Sequence, residues 1–139
     1  MDWFSVALKE DGVASRPAGE SHPRIEEYHR TVNEKGWDDK VPWCSSFLNW
    51  CMLQAGLPGT NSALARSWLD WGVPLATPRT GCVVVLWRED PASPKGHAGF
   101  FLHQDAELVY LWGGNQLGRV CVNSYPVGMI LGYRCPPER

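Results

Sequence analysis

Hydrophobic and polar positions change period once along the chain. In the first half apolar residues recur at helical spacing, and in the second they gather in short runs rich in β-branched and aromatic side chains bounded by Gly, Pro, Asn and Asp. Trp3 to Lys9 carries a short apolar pattern that stops at Gly12, and the polar stretch from Ser15 to Glu20, with Pro17 and Gly19, reads as a loop. Ser21 is the expected cap of a second helix with Pro23 in its first turn; Ile25, Tyr28, His29 and Val32 form its apolar stripe and Gly36 ends it. Pro42 opens a third helix whose apolar face is Cys44, Phe47, Leu48, Cys51, Met52 and Ala55, with Gly56 and Pro58 marking its stop. A fourth helix is expected from Asn61 or Ser62, carrying Leu64, Trp68 and Trp71 on one side until Gly72. Strands then read at 82–88, 97–103, 108–112, 119–124 and 130–135, with a loop through Pro91 and Pro94 and a tight hairpin over Gln104-Asp105-Ala106-Glu107. The expected fold class is α+β, with N-terminal helices packed on a C-terminal antiparallel sheet of about five strands.

Composition narrows the function classes. With 139 residues, 44% hydrophobic and a formal net charge of −2, the chain suits one soluble domain over 1–139. A chain of this size buries roughly two-thirds of its unfolded surface, enough for a single core. The charge balance leaves no basic footprint, so nucleic acid is not expected as a partner. No apolar run approaches the roughly 18 residues of a membrane span, so no membrane insertion is expected. The first ten residues hold no basic segment followed by an apolar one, so a secretory signal is not expected. Five cysteines, Cys44, Cys51, Cys82, Cys121 and Cys135, lie at wide, irregular spacings that do not make a disulfide framework. They also include no Cys-x-x-Cys, so neither a metal site nor another cofactor is expected.

Cys44 carries the chemistry this pattern allows. It falls in the first turn of the third helix, where unpaired N–H groups and the helix dipole favour a thiolate. Cys51 is two turns away, about 10 Å along the axis, too far to bridge to it. Cys44 also lies on the apolar stripe, which is the pattern of a core cysteine. Of four histidines, His22 stands at a helix start, His29 on a helix face and His103 beside a hairpin turn. His97, after Pro94-Lys95-Gly96, opens a core strand at the sheet rim, where it can face a helix terminus and serve as base. A hairpin centred on Asp105 pairs His97 with Gly113 and makes Asn115 its diagonal neighbour, able to accept the second ring N–H. A one-residue slip of this register would put Asn115 on the other face unless Gly113-Gly114 forms a bulge.

The segments Pro42-Trp43-Cys44-Ser45-Ser46-Phe47-Leu48-Asn49-Trp50-Cys51, Ser62-Ala63-Leu64-Ala65-Arg66-Ser67-Trp68, Gly96-His97-Ala98-Gly99-Phe100 and Gly113-Gly114-Asn115-Gln116 resemble the NlpC/P60 and CHAP group of papain-like cysteine peptidases and amidases, especially a small bacterial and phage subfamily. The likeness runs over nearly the whole chain, to Leu131-Gly132-Tyr133-Arg134-Cys135-Pro136. It implies cleavage of an amide bond in peptidoglycan, with Cys44 as nucleophile, His97 as general base and Asn115 as the orienting residue. Many relatives carry His or Glu in the third place, and Gln116 stands beside Asn115 as the substitute. Stem-peptide endopeptidases and N-acetylmuramoyl-L-alanine amidases both occur in the group.

Eight tryptophans suggest glycan stacking, but Trp68 and Trp71 on a helical stripe and Trp87 in a strand are expected to pack in the core. Trp43 and Trp112, flanking Cys44 and the Gly113-Gly114 turn, are the two expected at a substrate cleft. Asp38 and Asp39 are expected to cap or to face solvent. The alternative from another class is a non-catalytic wall-binding module on the same fold; a metal or redox role for the cysteines is weaker still. A wall hydrolase made in the cytoplasm without a signal would act at the wall or in the periplasm as a phage lysin or as an injected toxin, the latter with an immunity protein as partner.

Overall fold

The computed structural model describes residues 2–34 and 38–137, so the expected helix stop at Gly36 lies outside the described residues. Helices α1 (Trp3–Leu8), α2 (Pro23–His29) and α3 (Cys44–Gln54) come first, followed by a 3-10 turn at Ala65–Asp70. The strands are β1 (Val73–Leu75), β2 (Val83–Trp87), β3 (Gly96–Gln104), β4 (Leu108–Gln116), β5 (Arg119–Pro126) and β6 (Ile130–Cys135). They form one antiparallel sheet in the order β1-β6-β2-β3-β4-β5. The α+β class and the five expected strands are present; β1, three residues on the sheet edge, adds a sixth.

Alternation along the strands makes two apolar layers. Val83, Val85, Ala98, Phe100 and Trp112 face the helices and pack with Phe47, Leu48 and Tyr28. Val84, Leu86, Phe101, Val109 and Leu111 line the other face under Tyr125, Tyr133 and Met129.

Helix α3 departs from its expected amphipathic form: every residue from Cys44 to Met52 is buried. A helix wrapped on all sides must satisfy its polar side chains internally. Asn49 does this by taking the amides of Thr60 and Asn61 on Oδ1 at 2.8 and 2.9 Å and giving Nδ2 to the Ser45 and Ser62 carbonyls at 3.0 and 3.2 Å. Ser45 Oγ donates to Ser62 O at 2.6 Å and accepts from Trp68 Nε1 at 2.8 Å. These bonds spend the backbone groups of residues 60–62 on α3 rather than on a helix of their own. The expected fourth helix therefore begins only at Ala65, and as a 3-10 turn.

The second cap is likewise reassigned. His22, not Ser21, caps α2, its Nδ1 accepting from Arg24 N at 3.1 Å. Ser21 Oγ instead accepts from Asp39 N at 3.2 Å. The buried Asp39 carboxylate takes the amides of Arg16 and His22, each at 2.8 Å, and pairs with Lys40. It thereby ties the loop after α1 to the entry of α3 through long-range bonds, neither the helix cap nor the solvated side chain expected for it.

Candidate functional site

Two elements from different halves of the chain supply the site. Cys44 is the first residue of α3, and the preceding Trp43 provides no side-chain cap, so the helix presents its first-turn N–H groups to the thiol side. His97 is the second residue of β3, paired with Leu86 of β2. A Cβ at Gly96 would lie 2.8 Å from Leu86 O, so glycine lets β3 enter against β2 at this point. Cys44 and His97 are 6% and 8% exposed, which leaves each reachable from a cleft but shielded from bulk water.

The thiol and the imidazole are electrostatically coupled and shift together. Burial pushes the Cys44 thiol up, but the His97 charge and hydrogen bond, aided by the backbone N–H groups of Ala98 and Ser45, outweigh it and hold the thiol below its ordinary value. Burial pulls His97 down, and the Cys44 charge, its hydrogen bond and that of Gln116 outweigh it in turn, so the imidazole is held above its ordinary value. Each group favours the charged form of the other, the arrangement of a thiolate–imidazolium pair.

The side chain that meets the imidazole is Gln116, where Asn115 was expected. His97 Nε2 lies 2.9 Å from Gln116 Oε1. The amide orientation follows from its other end: Gln116 Nε2 donates to Leu111 O at 3.1 Å and to Cys121 O at 2.6 Å, spending both protons on carbonyls. Oε1 must therefore accept from His97 Nε2–H, leaving Nδ1 for the thiol. The expected pairing of His97 with Gly113 is off by two residues, since Phe100 lies opposite Trp112 rather than Tyr110, and a bulge adds a further one-residue displacement. β3 and β4 pair at Phe100–Trp112 with a register shift between Phe101 and His103, and the β4–β5 register shifts between Gly113 and Gln116. Asn115 takes a left-handed φ of 57°, which turns it half-exposed to the cleft wall and swings Gln116 inward, 1% exposed. Gly114 makes the bulge possible, since a Cβ there would sit 2.7 Å from Trp43 and 2.8 Å from Phe47.

Tyr125 of β5 completes the cluster and is a residue sequence reasoning missed. Its hydroxyl donates to Gln116 Oε1 at 3.1 Å, and its ring lies over the imidazole, with centroids 5.1 Å apart. Burial drives the Tyr125 hydroxyl well above its ordinary value, so it stays a neutral donor. The signal for it in the sequence was slight: an aromatic residue on the strand next to the one that carries Gln116.

The tryptophan expectations are corrected as well. Trp43 is fully buried, with Nε1 donating to Ser15 Oγ at 3.2 Å and its ring packed on Tyr28; Trp112 donates to Ala7 O at 2.9 Å from within the helix–sheet core. Neither reaches the cleft, because each side chain points to the layer behind the site. The half-buried Trp87, expected in the core, lines the cleft instead, its Nε1 bonded to Gly128 O at 3.2 Å. Of the other histidines, His22 caps α2, and His29 is buried with Nδ1 2.8 Å from Ser46 Oγ.

Two cavities flank the pair, one lined by each member. One of about 330 Å³ borders His97, Tyr125, Asn115, Trp87 and Arg88; the other, about 340 Å³, borders Cys44, Pro42, Leu64, Gly96 and Arg88. A larger one, about 540 Å³, lies by Trp3, Arg79 and Cys135 and holds neither member of the pair. Among the described residues no cluster of His, Cys, Asp or Glu is placed to hold a metal ion, and no helix is long and apolar enough to cross a membrane.

Among solved structures, this chain is similar to a Staphylococcus aureus protein described as similar to a lipoprotein of the NLP/P60 family, with a TM-score of 0.52 and 16% identity. The fold is of the NlpC/P60 type. The similarity covers 99% of this chain but 41% of the staphylococcal one, so the chain spans less than half of that protein. No family model and no curated protein matches the sequence.

Proposed function

We propose that this chain is a cysteine hydrolase that cuts an amide bond in the peptide of bacterial peptidoglycan, as an endopeptidase or an N-acetylmuramoyl-L-alanine amidase of the NlpC/P60 and CHAP group. The observation that carries the proposal is the buried His97 imidazole held by Gln116 Oε1 at 2.9 Å and electrostatically coupled to Cys44 at the start of α3, with opposed shifts on thiol and imidazole. A wall-binding module would need neither the paired charges nor the buried acceptor behind them.

In this reading the Cys44 thiolate attacks the amide carbonyl and forms a C–S bond. The oxyanion develops beside the first-turn N–H groups of α3. His97 Nδ1–H protonates the amine as the C–N bond breaks, leaving a thioester and a neutral imidazole. The imidazole then takes a proton from water, whose oxygen adds to the thioester carbon; the product leaves as the acid and Cys44 returns as thiolate. Throughout, Gln116 Oε1 holds Nε2–H, so the ring keeps Nδ1 toward the sulfur.

Purified peptidoglycan tests the proposal. Wild-type protein is expected to release soluble fragments whose new termini, read by mass spectrometry, name the bond. Cys44→Ala and His97→Ala are each expected to abolish release with unchanged circular dichroism. Binding to the wall without release, or release by Cys44→Ala, would sink the proposal.

A further inference from the structure

Among the described residues, Arg88 alone borders both cavities, on the thiol side and on the imidazole side. The loop after it is held in place by a different arginine. Arg66 donates from Nε to Lys95 O at 2.9 Å, from Nη1 to Pro91 O at 2.8 Å and from Nη2 to Asp90 O at 3.3 Å. Arg88 itself is fixed at the backbone, N donating to Lys95 O at 3.3 Å.

The carboxylates nearest in sequence are already committed. Glu89 pairs with Lys95 Nζ at 2.7 Å, and Asp90 Oδ1 accepts from Ala92 N at 2.8 Å. The Arg88 guanidinium makes no hydrogen bond or ion pair with any described residue. Its charge nevertheless reaches the site, since it works against protonation of His97. A fixed backbone, a free planar fork of donors and a place at the junction of two clefts are the conditions for bidentate capture of a carboxylate.

We propose that Arg88 is a specificity-determining residue that binds a free carboxylate of the substrate within one residue of the bond that is cut, selecting anionic peptides over their amidated counterparts. This rests on the hydrolase reading of the site and names the substrate class it takes. Lys95, occupied by Glu89, does not duplicate the role, and Arg66 is spent on the loop carbonyls.

The test uses a matched pair of muropeptides, N-acetylmuramoyl-L-Ala-γ-D-Glu-L-Lys-D-Ala and the same compound with the D-Glu α-carboxylate amidated. Wild-type kcat/KM is expected to favour the carboxylate form by about tenfold or more, the scale of one charge-assisted bidentate contact. In Arg88→Gln the ratio is expected to fall to near one, with the change carried by KM. Indifference of the wild type to the amidation, or an unchanged ratio in Arg88→Gln, overturns the proposal. If the wild type cuts neither compound, the hydrolase reading fails on its own, and titration calorimetry of Cys44→Ala decides the subsite separately. Tighter binding of the carboxylate form, lost in Cys44→Ala/Arg88→Gln, supports the subsite; equal binding of the two forms overturns it.

Discussion

Gln116 shows how much of the site's chemistry depends on an amide whose orientation is forced. With both protons given to the Leu111 and Cys121 carbonyls, Oε1 is left to hold His97 and to take the Tyr125 hydroxyl. The opposed shifts on Cys44 and His97 set the sign of the pH dependence. The active form needs thiolate and imidazolium together, so kcat/KM should rise as pH passes the lowered thiol value and fall as it passes the raised imidazole value. The two limbs belong to the pair rather than to either residue. Since the Gln116 bond helps to raise His97, Gln116→Leu should move the alkaline limb to lower pH and narrow the profile; an unmoved limb would show that the bond does not tune the ring. Iodoacetamide at neutral pH should alkylate Cys44 first, followed by mass spectrometry of peptides. Cys82, pushed up to about 11 by burial, and Cys51, raised further by burial and Glu10, should stay unmodified in the native protein. Equal labelling of the three would contradict a thiolate at Cys44.

At the scale of elements, what could be read from sequence was period and punctuation, and what could not was direction. Cys44 at a helix start and His97 at a strand start follow from Pro42, Gly96 and the change of period, and the structure places both there. The step from Asn115 to Gln116 needed a left-handed residue inside a strand, for which asparagine's tolerance of that region was the one available sign. Trp43 and Trp112 adjoin site segments in sequence, yet neighbours in a chain point to different layers, and both point away from the cleft. The polar hub of Asn49 was hidden for a similar reason: an asparagine in an apolar helix reads as its wet face until the loop of residues 60–62 is seen to close over it. Two substitutions follow. Gly114→Ala should destabilise the fold by about 1–3 kcal/mol, the scale of overpacking, and lower activity with it, because the added methyl meets Trp43 and Phe47 and pushes the bulge that aims Gln116. Trp112→Ala should cost about 3–5 kcal/mol in denaturant unfolding, the scale of a buried aromatic truncation, with KM for substrate unchanged among molecules that remain folded. A rise in KM at constant stability would return Trp112 to the cleft.

Across the whole molecule, the helical layer supplies the thiol and the sheet supplies everything that acts on it: His97 from β3, Gln116 from β4 and Tyr125 from β5. In a chain pulled open, Cys44 has neither helix terminus nor imidazole beside it and is an ordinary weak acid, only a few per cent thiolate at neutral pH. The thiolate–imidazolium pair is thus assembled by the docking of the two layers and is lost when they part. A polypeptide threaded through a narrow conduit would travel without the coupled pair and regain it only on refolding.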